Sequence, residues 1–400
     1  MERPALELDA DLPPSADVVI IGGGIVGAAT AFFAARAGLH PLILEARPAL
    51  CSLTTPASTG AFRAQFDNAE EIALVRESIA LFEQFAEVTG LPGYSIDLRR
   101  QGYLWLTTRP DYVAHQQQQV DRQHGWGLTD VEWLTGDEAR YRFPYLAPTV
   151  VGARYRAGDG WLDVRKLTMG YVQAGRATIC LNTAVSGFML AGGRVQGVVT
   201  ARGTVATERV VIAAGPFAAQ VAGWAGVAVP LAPVARQKLI MPDVPEVPPG
   251  APMTIDEDSG AHWRPALQGA YLLRTVPGLP AGPPLEDVPT RTDLVFDLLD
   301  PASPYSVARI SPFWRTVWAR NTSGWSVQAG QYAYTPDHRP FLGATPLAGL
   351  YLNCGYSGHG IMASAGGSRL TVAALTGALP PAANPFRLDR PLAAREFDVL

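Results

Sequence analysis

The stretch Asp17-Val-Val-Ile-Ile-Gly22-Gly-Gly-Ile-Val-Gly27 decides how the rest of the chain is read. Four β-branched residues in a row, with no polar alternation, predict a strand buried on both faces, the kind that sits inside a parallel sheet. Gly22, Gly24 and Gly27 then give the spacing GxGxxG between that strand and an alanine-rich helix expected over 28–37. Gly38 reads as the end of the helix, and His40-Pro-Leu-Ile-Leu-Glu45 as the next parallel strand. Glu45 closes that strand eighteen residues after Gly27. The glycines permit a tight turn and close backbone approach, the helix N-terminus faces a pyrophosphate, and the acid accepts from ribose hydroxyls. NAD and FAD share this fingerprint, so it names a dinucleotide and leaves the chemistry open.

Working outward, a helix is expected over 68–88, a glutamine-rich one over 111–124, and a hairpin leading into the buried strand Val210-Val-Ile-Ala-Ala-Gly215. Prolines crowd the stretch between Pro230 and Pro304, which suits a mixed or antiparallel sheet with long loops. Glycine-rich α/β texture returns at Leu350-Tyr-Leu-Asn-Cys-Gly355, followed by a small-residue helix from about Ile361 to Leu375.

The 400 residues suffice for two or three domains, and a net charge of −4 provides no field for nucleic acid or an anionic membrane. Three scattered cysteines, Cys51, Cys180 and Cys354, form no disulfide framework, and six histidines show no metal-ligand spacing, so no metal is expected. Met1-Glu2-Arg3-Pro4 begins no signal peptide and no run reads as a transmembrane helix, so a reducing cytoplasm is the expected location. Lys166 and Lys238 are the only lysines.

Four further segments make the chain resemble the FAD-dependent D-amino-acid oxidase superfamily, in the branch of monomeric sarcosine oxidase, glycine oxidase and the flavin subunits of proline and dimethylglycine oxidoreductases. Thr54-Thr55-Pro56-Ala57-Ser58-Thr59-Gly60-Ala61-Phe62-Arg63 looks like the family's loop over the pyrophosphate, ending in an arginine near the flavin. Asp159-Gly-Trp-Leu-Asp163 looks like the return into the FAD domain, Val210 to Gly215 like the strand closing it, and Gly355-Tyr-Ser-Gly-His-Gly360 like the loop facing the isoalloxazine. In that loop, glycines and helix N-terminal amides suit a flat ring that becomes negative on reduction.

The resemblance implies an α/β fold: a Rossmann-like, glutathione-reductase-like FAD domain from residues 12–95, 155–228 and 325–390, and a mixed or antiparallel-sheet substrate domain from 96–154 and 229–324. It places FAD against Gly22, Gly24, Ile25, Val26, Gly27, Glu45, Ala46, Arg47, Thr54, Thr55, Ala57, Ser58, Val185, Ala214, Gly215, Gly355, Tyr356, Gly358, His359, Gly360 and Ile361. His359 reads as a capping, flavin-contacting residue and not as a base. Many sarcosine oxidases attach FAD through a cysteine six residues before the proline of a Thr-Pro-Asp element; here, before Pro336, that position is Gly330, so non-covalent FAD is expected.

The implied reaction is oxidation of the C–N bond of a small amino acid or N-methyl amino acid, sarcosine-, glycine- or proline-like, by hydride transfer to flavin N5, with hydrolysis of the imine and return of electrons to O2 or another acceptor. Met362 and, by alignment, Tyr271 stand where sarcosine oxidases carry lysines, and neither lysine of this chain is expected near them. This favours a partner-dependent enzyme: the flavin subunit of a hetero-oligomeric dehydrogenase is one alternative, and a 2-hydroxy-acid dehydrogenase or a tailoring amine oxidase are others. The candidate substrate residues are Arg63, His262, Arg264 and Tyr271. His262 is either substrate-facing or a surface imidazole, and Arg264 either a carboxylate clamp or an ion-pair partner. Arg63 is favoured for the carboxylate because its loop is pinned to the cofactor and an arginine fork binds carboxylate with two bonds.

Overall fold

A computed structural model describes residues 8–321 and 324–392. The run Val18–Ile21 is a strand with all four side chains buried, as its unbroken apolar sequence requires. It lies in the middle of a six-stranded sheet, between Pro41–Leu44 and Val210–Ile212, both parallel to it. Thr178–Cys180 and Leu350–Cys354 continue the parallel order outward, and Phe341–Ala344 adds an antiparallel edge. Helix Ile25–Arg36 covers one face and packs closely on helix Val164–Gly175, where a Cβ added at Gly175 would lie 2.9 Å from the Phe32 nitrogen. Helices Ala69–Glu83 and Ser364–Leu375 complete that layer around a core that includes Ile43, Phe62, Phe82 and Tyr171. A three-stranded antiparallel sheet from the expected hairpin covers the other side.

The second domain is an eight-stranded sheet. Its order is Ser326–Tyr334, Ala232–Met241, Gly269–Arg274, Ala261–Ala266, Met253–Asp256, Tyr103–Thr107, Gly152–Arg156 and Glu132–Thr135. Only the Met253–Asp256 and Tyr103–Thr107 pair is parallel, so the sheet is mixed. Strand alternation gives it two different faces. Leu239, Trp263 and Leu272 point toward helices Asp293–Leu299 and Trp314–Ala319 and form a separate core. Lys238, His262, Arg264, Tyr271 and Leu273 point toward the first domain.

Two boundaries differ from the sequence expectation. Ser326–Tyr334 pairs along its length with Ala232–Met241, so it belongs to the second sheet although it falls within the expected 325–390 piece. Gly152–Arg156 likewise crosses the expected start at 155. In both, pairing with a distant partner outweighs chain position. No described helix is long and apolar enough to cross a membrane.

Candidate active site

Between the two sheets runs a long cleft that starts at the glycine turn and ends at the loop 355–360. Gly22 has φ +111°, and an added Cβ would strike the Ala213 carbonyl oxygen at 2.6 Å. At Gly27 an added Cβ would sit 1.9 Å from the Gly22 oxygen, so this glycine lets the helix pack on its own turn and does not line the cleft. Gly24 is different: it lines the cleft and a Cβ there would meet only Thr55 Oγ1, at 3.2 Å. That hydroxyl oxygen accepts from the Ile25 N–H at 3.2 Å and ties the 54–59 loop to the helix start.

The Glu45 carboxylate accepts from the Gly23 and Arg47 N–H groups at 2.6 and 2.9 Å, while burial pushes its pKa up. It lines the cleft where the ribose of a dinucleotide would lie. Every cofactor residue expected from the sequence lines this cleft except Gly27 and His359. Gly330 lines it too, with no room for a side chain: an added Cβ would be 2.8 Å from the Ala57 Cβ. Buried Cys354 also faces the cleft, and desolvation pushes its thiol up to about 12.

At the far end the backbone turns through Gly355 (φ +75°), Ser357 (φ +49°) and Gly358 (φ +94°). A Cβ on Gly358 would strike the Tyr332 ring at 2.5 Å. Among the described residues, the N–H groups of Gly358, Gly360, Ile361 and Met362 meet no backbone acceptor, and the first three residues line the cleft. Such a row of donors, in the turn that leads into helix Ser364–Leu375, fits the carbonyl edge of a flavin ring.

A second, smaller cavity of about 70 Å³ adjoins this end of the cleft and shares Ser58, Leu273, Tyr332 and Gly358 with it. Arg63 is its innermost cation, 2 % exposed. Its Nη1 donates to the Gln65 carbonyl at 2.5 Å, its Nη2 is 3.3 Å from His359 Nε2, and it stacks on Phe66 and Trp105 at 4.5 and 5.5 Å. His359 therefore stands with Arg63 on this second cavity and does not line the cleft where the sequence places it.

Asp159, fully buried, fixes the chain that carries Arg63. Its carboxylate accepts from the Ala64 N–H and from Gln65 Nε2, each at 2.9 Å, and from Arg156 Nη1 at 2.5 Å. Arg156 in turn donates to Asp130 at 2.8 Å. From the sequence alone Asp159 reads only as part of a connecting segment, because the signal for its role lies in a contact across 95 residues.

His262 faces the cavity from the sheet. Its Nδ1 is 3.0 Å from the Gly260 carbonyl, which can only accept, so Nδ1 carries the hydrogen and Nε2 is left as an acceptor. Burial first, and then the charges of Arg236 and Arg63, push its pKa down to about 4.

Arg264 and Tyr271 fall outside this cavity. Arg264 Nε donates to the Thr59 carbonyl at 2.9 Å, Nη2 donates to the same oxygen, and Nη1 reaches the Pro265 carbonyl at 2.6 Å. Its guanidinium lies between the Trp161 and Tyr271 rings, at 5.0 and 4.6 Å, so it pins the flavin-side loop to the sheet; no ion pair to it is seen among the described residues. Against expectation, a lysine is near Tyr271: Lys238 Nζ sits 4.5 Å from its ring. Strand pairing explains this, since Lys238 and Tyr271 project from adjacent strands, with Ile240 opposite Tyr271. The Lys238 amine donates to the Pro56 and Ser58 carbonyls at 3.2 and 2.7 Å, and desolvation pushes its pKa down to about 7. It lines a third cavity, on the other side of the 56–59 loop.

A dinucleotide cleft thus ends beside a small cavity lined by cations, the arrangement of a cofactor-dependent enzyme. Residues 17–374 match the model of the FAD dependent oxidoreductase (DAO) family, and the chain belongs to that family. FAD is its cofactor. It is 28% identical over 375 residues to mitochondrial sarcosine dehydrogenase of Mus musculus, a match covering 89% of this chain and 39% of that protein. The chain thus spans about two fifths of that longer relative. It is also 28% identical to glycine oxidase of Geobacillus kaustophilus, covering 87% and 89% of the two chains. Among solved structures, L-proline dehydrogenase from P. horikoshii matches with a TM-score of 0.80 at 25% identity, covering 92% of this chain and 96% of that one.

Proposed function

We propose that this protein oxidises the C–N bond of a small amino acid or N-methyl amino acid, of the sarcosine, glycine or proline kind. The observation that carries the reading is that one small cavity, opening on the flavin end of the cleft, is faced by both a buried arginine and a histidine with an acceptor nitrogen. When bound, FAD supplies the ring that accepts the hydride.

A carboxylate entering the cavity loses its water, and a cation must meet it; Arg63 takes that role. His262 Nε2 accepts an N–H of the amine and keeps the nitrogen lone pair directed while the C–H bond faces the cleft. With a pKa near 4 the imidazole stays neutral, so it orients the amine and does not repel it. Tyr103, Met253 and Ile255 close the cavity wall and exclude water. The donors at Gly358, Gly360 and Ile361 stabilise negative charge arriving on the cofactor edge. The imine product leaves the cavity and is hydrolysed in water. Met362 lines the cavity and carries no charge, and Lys238 is committed to loop carbonyls, which supports an electron acceptor other than free oxygen, including a partner subunit. The cytoplasm is the compartment proposed, consistent with three buried free thiols.

The test is anaerobic mixing of the purified flavoprotein with a panel of N-methyl, cyclic, D- and L-amino acids. Bleaching of the flavin absorbance by a small member of the panel is expected. A flavin that dithionite reduces but no amino acid does would overturn the reading.

A further inference from the structure

The cavity beside the cleft holds more positive charge than a single carboxylate needs. Its described lining includes Arg63, Arg236 and Arg274 and no aspartate or glutamate. Arg274 is accounted for, since its Nη1 is 2.9 Å from Asp297 and its guanidinium stacks on Tyr305. Arg63 is the cation for the α-carboxylate in the function proposed above, on which this inference rests.

Arg236 remains. Strand alternation on Ala232–Met241 sets it two residues from Lys238, on the face toward the first domain, where it lines both the cleft end and the cavity. Its Nη1 donates to the Val276 carbonyl and its Nη2 to the Tyr334 hydroxyl, each at 2.9 Å, and it packs against the Tyr332 and Tyr334 rings at 5.9 and 5.7 Å. All of these partners are neutral, and no carboxylate pairs with Arg236 among the described residues. A guanidinium has five N–H donors, so donors remain for a ligand. Arg63, Arg236, His262 and Tyr332 all line this one cavity.

We propose that the substrate carries two anionic groups, an amino dicarboxylate whose nitrogen sits at His262 with one carboxylate on Arg63 and the second on Arg236. No new chemistry is required; the second arginine selects the substrate.

The test uses thioethers, which have no C–N bond to oxidise, with the purified FAD-loaded protein. Calorimetric titration with 2,2′-thiodiacetate and with (methylthio)acetate compares a dianion with a monoanion of the same core. The parent protein should bind the dianion at least about tenfold more tightly. Arg236→Gln should bring the ratio to within about threefold, and Arg236→Lys should restore part of it. Equal affinities in the parent protein would overturn the proposal. So would an Arg236→Gln variant that weakens both ligands alike, which would make Arg236 a residue serving the flavin or the sheet. If a monocarboxylic amino acid bleaches the flavin while the dianion shows no advantage, this inference fails and the proposed function stands. If the dianion preference appears and follows Arg236 but no amino acid bleaches the flavin, the proposed function fails and the two-anion site stands.

Discussion

The dinucleotide cleft and the cavity beside it are built by opposite means. What the cleft offers a dinucleotide comes chiefly from backbone: glycines that leave room, N–H groups at the start of helix Ile25–Arg36 and in the turn over 358–362, and the Glu45 carboxylate at a strand end. The cavity is made of side chains from distant segments, with Arg63, His262, Arg236 and His359 brought together by sheet pairing and by a buried aspartate. A site of the first kind is set by local sequence and tolerates little change at its glycines. One of the second kind is set by topology and can change its substrate by exchanging single side chains.

The comparison breaks most sharply at the glycines. Gly27→Ala forces a methyl into the Gly22 carbonyl and should cost about 3 kcal/mol or more, leaving little folded flavoprotein by thermal melting and absorbance. Gly24→Ala meets only the Thr55 hydroxyl, so the protein should fold and melt like the flavin-free parent but not hold FAD, because the methyl stands in the path of the pyrophosphate. Normal flavin occupancy in Gly24→Ala would refute the cofactor site. In the parent protein, acid precipitation should leave all FAD in the supernatant, since Gly330 and the room around it allow no thioether there.

On the cavity side, Asp159→Asn removes the charge that buried Arg156 faces and the anchor of the Arg63 segment. A loss of about 3 kcal/mol in chemical denaturation is expected. A melting curve like that of the parent would show that Asp130 suffices for Arg156.

A smaller effect comes from His262. Its pKa, 6.5 in the unfolded chain and about 4 in the fold, means that the unfolded state binds a proton that the folded state does not. Stability is therefore intact above pH 6.5 and falls as pH drops toward 4. Between pH 7 and 5 the parent should lose about 2 kcal/mol more than His262→Gln. Equal pH dependence in the two proteins would mean that His262 is not buried as a neutral imidazole.

How much of this was legible in the sequence follows the same division. Gly22, Gly24 and Glu45 were readable because strand, turn and helix follow each other within thirty residues. Arg63 was readable as the end of a loop. The position of His359 was not, because the turn at Ser357 and Gly358 swings it past the cleft onto Arg63. Lys238 was missed near Tyr271, and Arg236 was missed altogether, because each depends on which strands pair in the second sheet. Single-residue alternation along a strand says which side chains share a face, but not which other strand supplies the facing residues.

The central claim is that Arg63 holds the substrate carboxylate beside the flavin. Its direct measurement is rapid anaerobic flavin reduction of the parent and Arg63→Ala proteins at equal flavin content, with the best amino acid substrate and with the amine that lacks its carboxylate. The account predicts that Arg63→Ala slows reduction by the amino acid about a hundred- to a thousandfold, and reduction by the amine far less. An unchanged rate with the amino acid, or an equal loss with both compounds, would contradict it.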